Sequence, residues 1–180
     1  MSKIDVVPHD PAWQEAFKVE AERIKAAMGE NLVAIHHVGS TSIPGIYAKP
    51  VIDMLVEVKD VVELDRGSPA MRSLGYEVKG EFGIAGRRYF RKDNAEGIRT
   101  HQIHAFETGS EQIARHLAFR DYMIAHPEEA QAYGELKRRL VAKYADSPEN
   151  YMDGKDEFIK EIDRRATTWR TMGPAARPPR

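Results

Sequence analysis

Apolar residues change their spacing several times along this chain, and each change predicts an element. Trp13, Phe17, Ile24 and Met28 recur close to one helical face. Asp10-Pro11 suits the start of that helix, because Asp can cap it and Pro at the first position gives up a donor that lacks a partner anyway. Gly29 suits its end. Residues 32–38 are apolar, partly β-branched and bounded by Gly39, which predicts a strand. Residues 51–58 alternate, with Val51, Asp53, Leu55 and Glu57 pointing one way and Ile52, Met54, Val56 and Val58 the other. A helix over 61–74 follows, broken in character around Gly67-Ser68-Pro69, and Gly75-Tyr76 restarts extended structure.

Residues 86–92 and 98–107 read as two strands joined by the turn KDNAEG, in which Asp93, Asn94 and Gly97 supply the turn chemistry. Beyond residue 110 the period becomes helical. Ser110 caps a helix ending near His126, and Pro127 with Glu128 and Glu129 opens the next, the acids suiting the positive end of its dipole. Its stripe of Tyr133, Leu136, Leu140 and Tyr144 predicts core, as does Phe158, Ile162, Ala166 and Trp169 on a last helix opened by Ser147-Pro148. Segregated strands and helices give an α+β class: a mixed sheet with flanking helices and a C-terminal helical segment. A single domain is expected over 1–172, with its sheet core at about 30–108 and the C-terminal helices at about 110–170.

Composition narrows the function classes. A chain of 180 residues supports one full core, and 31% charged with 42% hydrophobic residues is ordinary for a globular protein. The net charge of −1 offers no general attraction for nucleic acid or an anionic membrane. Without cysteine there is no disulfide, thiolate metal site or cysteine nucleophile. MSKIDVVPHDPAW lacks the apolar stretch of a signal peptide, and no run approaches the ~20 residues that span a bilayer, so a cytoplasmic protein is expected. Residues 164–180 carry Arg164, Arg165, Arg170, Arg177 and Arg180 and no acid. The closing GPAARPPR, residues 173–180, is expected to be a disordered basic tail. Nucleic-acid binding is disfavoured for want of an aromatic and basic surface.

The chemistry concentrates in residues 37–58, HVGSTSIPGIYAKPVIDMLVEV. Gly39-Ser40-Thr41-Ser42 gathers backbone N–H groups and three hydroxyls directly after a strand, which is either a phosphate cradle or a plain turn. It lacks the ending of a P-loop and the spacing of a dinucleotide fingerprint. Asp53 interrupts an apolar strand, so its face must be solvated, paired or metal-bound, and Lys49 is one candidate partner. A carboxylate beside a Gly-Ser turn is also what metal-dependent nucleotidyl transfer uses: the turn holds phosphates and the acid holds the ion.

That stretch resembles the signature of the GrpB (UPF0157) family. VVPHDPAWQEAF, GRRYF, HQIHAF, FRDYMIAHPEEAQAYGELKRRL and YMDGKDEFIKEI agree with it, so the resemblance covers roughly residues 4–169. It implies a nucleotidyltransferase-like fold that binds a nucleotide or other phosphorylated small molecule, with Mg²⁺ or Mn²⁺ as the metal if the site transfers nucleotidyl groups. It equally admits a non-catalytic binding or regulatory module. The domain also occurs fused to dephospho-coenzyme A kinase, which makes a coenzyme A biosynthesis enzyme a candidate partner.

The chain departs from the superfamily pattern. Asp53 matches the first acid of an acid-x-acid pair, but Leu55 stands in the second place, and Glu57 lies roughly 13 Å along the strand from Asp53. Where a third acid would sit the sequence reads THQIHAF, with His104 the nearest polar candidate and Glu107 slightly beyond. One carboxylate with one histidine is a poor Mg²⁺ set and a better Mn²⁺ or Zn²⁺ set. The resemblance therefore assigns Asp53 to the metal, Asp53 and His104 to catalysis, and phosphate binding to Gly39, Ser40, Thr41, Ser42, Lys49, Arg88 and Lys155. His101 and His104 should project to opposite faces of one strand, and His36 and His37 likewise. Arg87, Arg88, Arg91, Lys92 and Arg99 form either solvated strand edges or a cationic wall.

Overall fold

A computed structural model describes residues 5–172. The tail expected at 173–180 lies outside the described residues. Helix α1 spans Ala12–Met28, and the Asp10 carboxylate accepts from the Ala12 N–H at 2.9 Å. Strand β1, Leu32–Val38, is followed by a 3-10 turn at Ser40–Ser42 and by β2, Ile52–Val58. The helix expected over 61–74 is two short ones, α2 at Val61–Arg66 and α3 at Ser68–Ser73, because Pro69 opens a new first turn after Gly67. Strands β3 (Glu77–Val78), β4 (Arg88–Asp93) and β5 (Arg99–Glu107) complete the sheet. Helices α4 (Glu111–Ala125), α5 (Pro127–Tyr144) and α6 (Pro148–Thr171) form the C-terminal segment. Ser110 caps α4 by accepting from the Gln112 N–H.

The five strands run in the order β1-β2-β5-β4-β3, with β2 and β5 parallel and the other neighbours antiparallel. This is a mixed sheet in an α+β fold. Side-chain alternation then gives each face its own partner. Met54, Val56, Ile103 and Phe90 face α1, α2 and α3, and close the larger core with Trp13, Ile24, Leu64 and Met71. On the other face Val38, Leu55 and Phe106 pack on Ile113 of α4. Ile43 and Ile46, from the segment after the 3-10 turn, insert into a third cluster with residues of α4, α5 and α6. The Gly-Ser turn therefore lies where the sheet meets the C-terminal helices.

Candidate functional site

The end of β1 sets the backbone of the turn. Gly39 has φ +73°, and a Cβ there would fall 2.6 Å from Asp53 Oδ2, so the carboxylate occupies space that any other residue would fill. The Ser42 N–H and hydroxyl both donate to the Gly39 carbonyl, at 3.1 and 2.5 Å, and the Ile43 N–H donates to the Ser40 carbonyl. The N–H groups of Ser40 and Thr41, at the head of the turn, find no acceptor among the described residues.

The three hydroxyls have different fates. Thr41 is buried, donates to the Val51 carbonyl at 3.1 Å, and so must accept from the Nε2–H of His37 at 2.9 Å. His37 is held neutral, since burial lowers its pKa to about 4. Thr41 thus splices the turn to the start of β2 and has no donor left for a ligand. Ser42 closes the turn on itself. Ser40 lies near the buried phenol of Tyr133 on α5, whose pKa burial pushes up to about 12. Gly134 beside it lets α5 approach the chain: a Cβ there would lie 3.1 Å from the Tyr47 amide.

One turn beyond Tyr133 comes Lys137. It is 2% exposed, and its Nζ stands 4.3 Å from the centre of the Tyr133 ring with no hydrogen-bond partner among the described residues. Burial, reinforced by repulsion from Lys155, lowers its pKa to about 7 against the opposing pull of Asp53. On α6, Tyr151 is buried with its hydroxyl also unpartnered, and Lys155 lies over that ring at 4.8 Å. Burial and repulsion from Lys49 bring Lys155 down to about 8. Lys49, on the approach to β2, is lowered by partial burial of its ammonium and by repulsion from Arg99, against the pull of Asp53. Lys49, Lys137 and Lys155 all feel the charge of Asp53, whose ion-pair partner is His104.

Asp53 and His104 face each other across the parallel pair, His104 Nε2 lying 3.6 Å from Asp53 Oδ1. His101, three residues earlier, is on the opposite face near Glu20, as strand geometry requires. Arg87 is buried and donates to the Glu81 and Phe82 carbonyls and to His104 Nδ1, the last at 3.3 Å. A guanidinium can only donate, so His104 Nδ1 is an acceptor and the ring proton sits on Nε2, toward Asp53. Gln102 is the β5 residue in register with Asp53.

Arg88 needs correction as a phosphate ligand. It pairs in register with Ala105 on the α1–α3 face, opposite Asp53, and its guanidinium is bidentate to Asp65 at 2.7 and 3.2 Å. Its neighbour Arg87 reaches the site instead. Arg91, Lys92 and Arg99 are taken up by ion pairs with Glu77, Glu20 and Asp93. Glu57 bonds His36 at 3.4 Å. Sequence reasoning missed Tyr133 and Lys137, the first being read as core, whereas Tyr151 stands with Lys155 in the stretch that carries the family resemblance. The available signal was a lysine four residues after Tyr133, in the buried register of an amphipathic helix.

Comparison with known proteins agrees with this architecture. The signature of the family described as GrpB protein matches residues 3–165. The UPF0157 protein YqkA of Bacillus subtilis is 46% identical over 168 residues, which cover 93% of this chain and 48% of that protein. The chain thus spans about half of that relative. The crystal structure of GrpB from Enterococcus faecalis superimposes with a TM-score of 0.87 at 42% identity, covering 91% of this chain and 98% of the other. Cid1 in complex with its short product ApU superimposes with a TM-score of 0.50 at 10% identity over 72% of this chain and 41% of its own. At that identity the likeness concerns the fold, which is nucleotidyltransferase-like.

Proposed function

This chain belongs to the GrpB protein family, and on that premise we propose that it binds a phosphorylated small molecule, a nucleotide, where the Gly-Ser turn meets helices α5 and α6. The observation that carries this is the Lys137 ammonium, buried and unpartnered over the Tyr133 ring among the described residues, with Lys49 and Lys155 also in the field of Asp53. A buried ammonium without an acceptor is costly. Phosphate oxygens supply acceptors that the protein withholds, and two free N–H groups at the turn add donors. The likeness to Cid1, described in complex with its short product ApU, supports a nucleotide over other phosphates.

Thermal unfolding against nucleoside triphosphates and coenzyme A precursors tests this, in wild type and Lys155→Met. Stabilisation by one ligand class that is lost in the variant supports the site. Indifference of the wild type to every phosphorylated ligand would favour a partner-docking module.

A further inference from the structure

We infer that this group of residues, taken as the phosphate site proposed above, neutralises its ligand with lysine ammonium groups and needs no divalent cation. The donor set is the first ground. Leu55, in the second acid position, is fully buried in the apolar cluster with Val38 and Phe106. Glu57 is bonded to His36, and the residue in register with Asp53 on β5 is the amide Gln102. Among the described residues no three His, Asp or Glu side chains gather around a common point. One carboxylate cannot by itself hold the pair of ions that two-metal phosphoryl chemistry uses.

The second ground is the proton on His104. A histidine that binds a metal offers a lone pair at one nitrogen while its other N–H donates to a carbonyl or carboxylate. Here the order is reversed. Arg87 occupies the Nδ1 lone pair, and the proton is left on the nitrogen facing Asp53. Neither nitrogen presents a lone pair to an ion bound at Asp53.

Charge is the third ground. Asp53 already lies in the field of Lys49, Lys137 and Lys155. A divalent cation added there would be repelled by all three, whereas a polyphosphate would be attracted by all three. Lys137 and Tyr151, buried and unpartnered, then gain the acceptors they lack. In this arrangement the Asp53 carboxylate opposes an anionic ligand and offsets part of the repulsion among the lysines.

Asp53→Asn separates the two modes by sign. ATP and inorganic tripolyphosphate are titrated calorimetrically into the full chain in EDTA and again in Mg²⁺, for wild type, Asp53→Asn and Lys137→Met. Ammonium neutralisation predicts binding in EDTA at least as tight as in Mg²⁺, a severalfold gain in Asp53→Asn, and at least a tenfold loss in Lys137→Met. Binding that requires Mg²⁺ and disappears in Asp53→Asn overturns this inference and leaves the phosphate site standing. Absence of binding by either probe in both conditions overturns the two together. Thermal unfolding of each variant confirms that the fold is kept, and Lys155→Met gives a second test of the cation set.

Discussion

Gly39 and Asp53 share one space: a Cβ on the glycine would lie 2.6 Å from the carboxylate oxygen and 3.0 Å from the Asp53 Cβ. The glycine is therefore required twice, for its φ of +73° and for the room it leaves. Gly39→Ala is expected to cost about 1–3 kcal/mol through strain and crowding. It should also weaken ligand binding, because relief comes by moving Asp53 or the turn. Chemical denaturation together with a ligand titration checks both.

Thr41 divides the turn into a structural and a ligand-facing half. Thr41→Val keeps its shape but leaves His37 Nε2 and the Val51 carbonyl without their partner. A loss of about 1–3 kcal/mol in unfolding free energy is expected, with affinity nearly unchanged in the folded protein. Ser40→Ala should show the opposite pattern, small in stability and larger in affinity.

The buried Lys137 ammonium carries a cost in stability. Its folded pKa of about 7 lies below the ordinary 10.5, so between those values the unfolded chain holds more protons than the folded one. Its contribution therefore stabilises the fold as pH rises through that window, and is least favourable below about pH 7. Lys137→Met should be more stable than wild type at pH 6–7 by about 1–4 kcal/mol, with the margin shrinking toward pH 10. Unfolding curves over a pH series test this.

Binding should take up protons. Burial lowers Lys137 to about 7 and Lys155 to about 8, helped by repulsion from Lys155 on the first and from Lys49 on the second, and a bound phosphate would draw both back up. At pH 8 calorimetry in buffers of different ionisation enthalpy is expected to show net proton uptake, and affinity should fall as pH rises further.

The fold was largely legible because each element carried its own punctuation. Asp10-Pro11, Ser110 and Pro127 open helices where expected, and the alternation around Asp53 assigns the faces of β2. Pro69 split a helix that periodicity alone joins. The site was only half legible. The turn and Asp53 stand together in sequence, whereas Lys137 and Lys155 come from helices whose approach depends on tertiary packing. Tyr133 has the period of a core residue and is one, yet its ring is what the buried Lys137 ammonium stands over. Arg88 shows the converse error, since a one-residue offset along a strand carries a side chain to the other face.

The most direct test of the proposed phosphate site is a calorimetric titration of nucleoside triphosphate into wild type and Lys155→Met at pH 7. The proposal predicts saturable one-to-one binding by the wild type and at least a tenfold weaker affinity in the variant. Equal affinities in the two proteins, or no binding by the wild type, would contradict it.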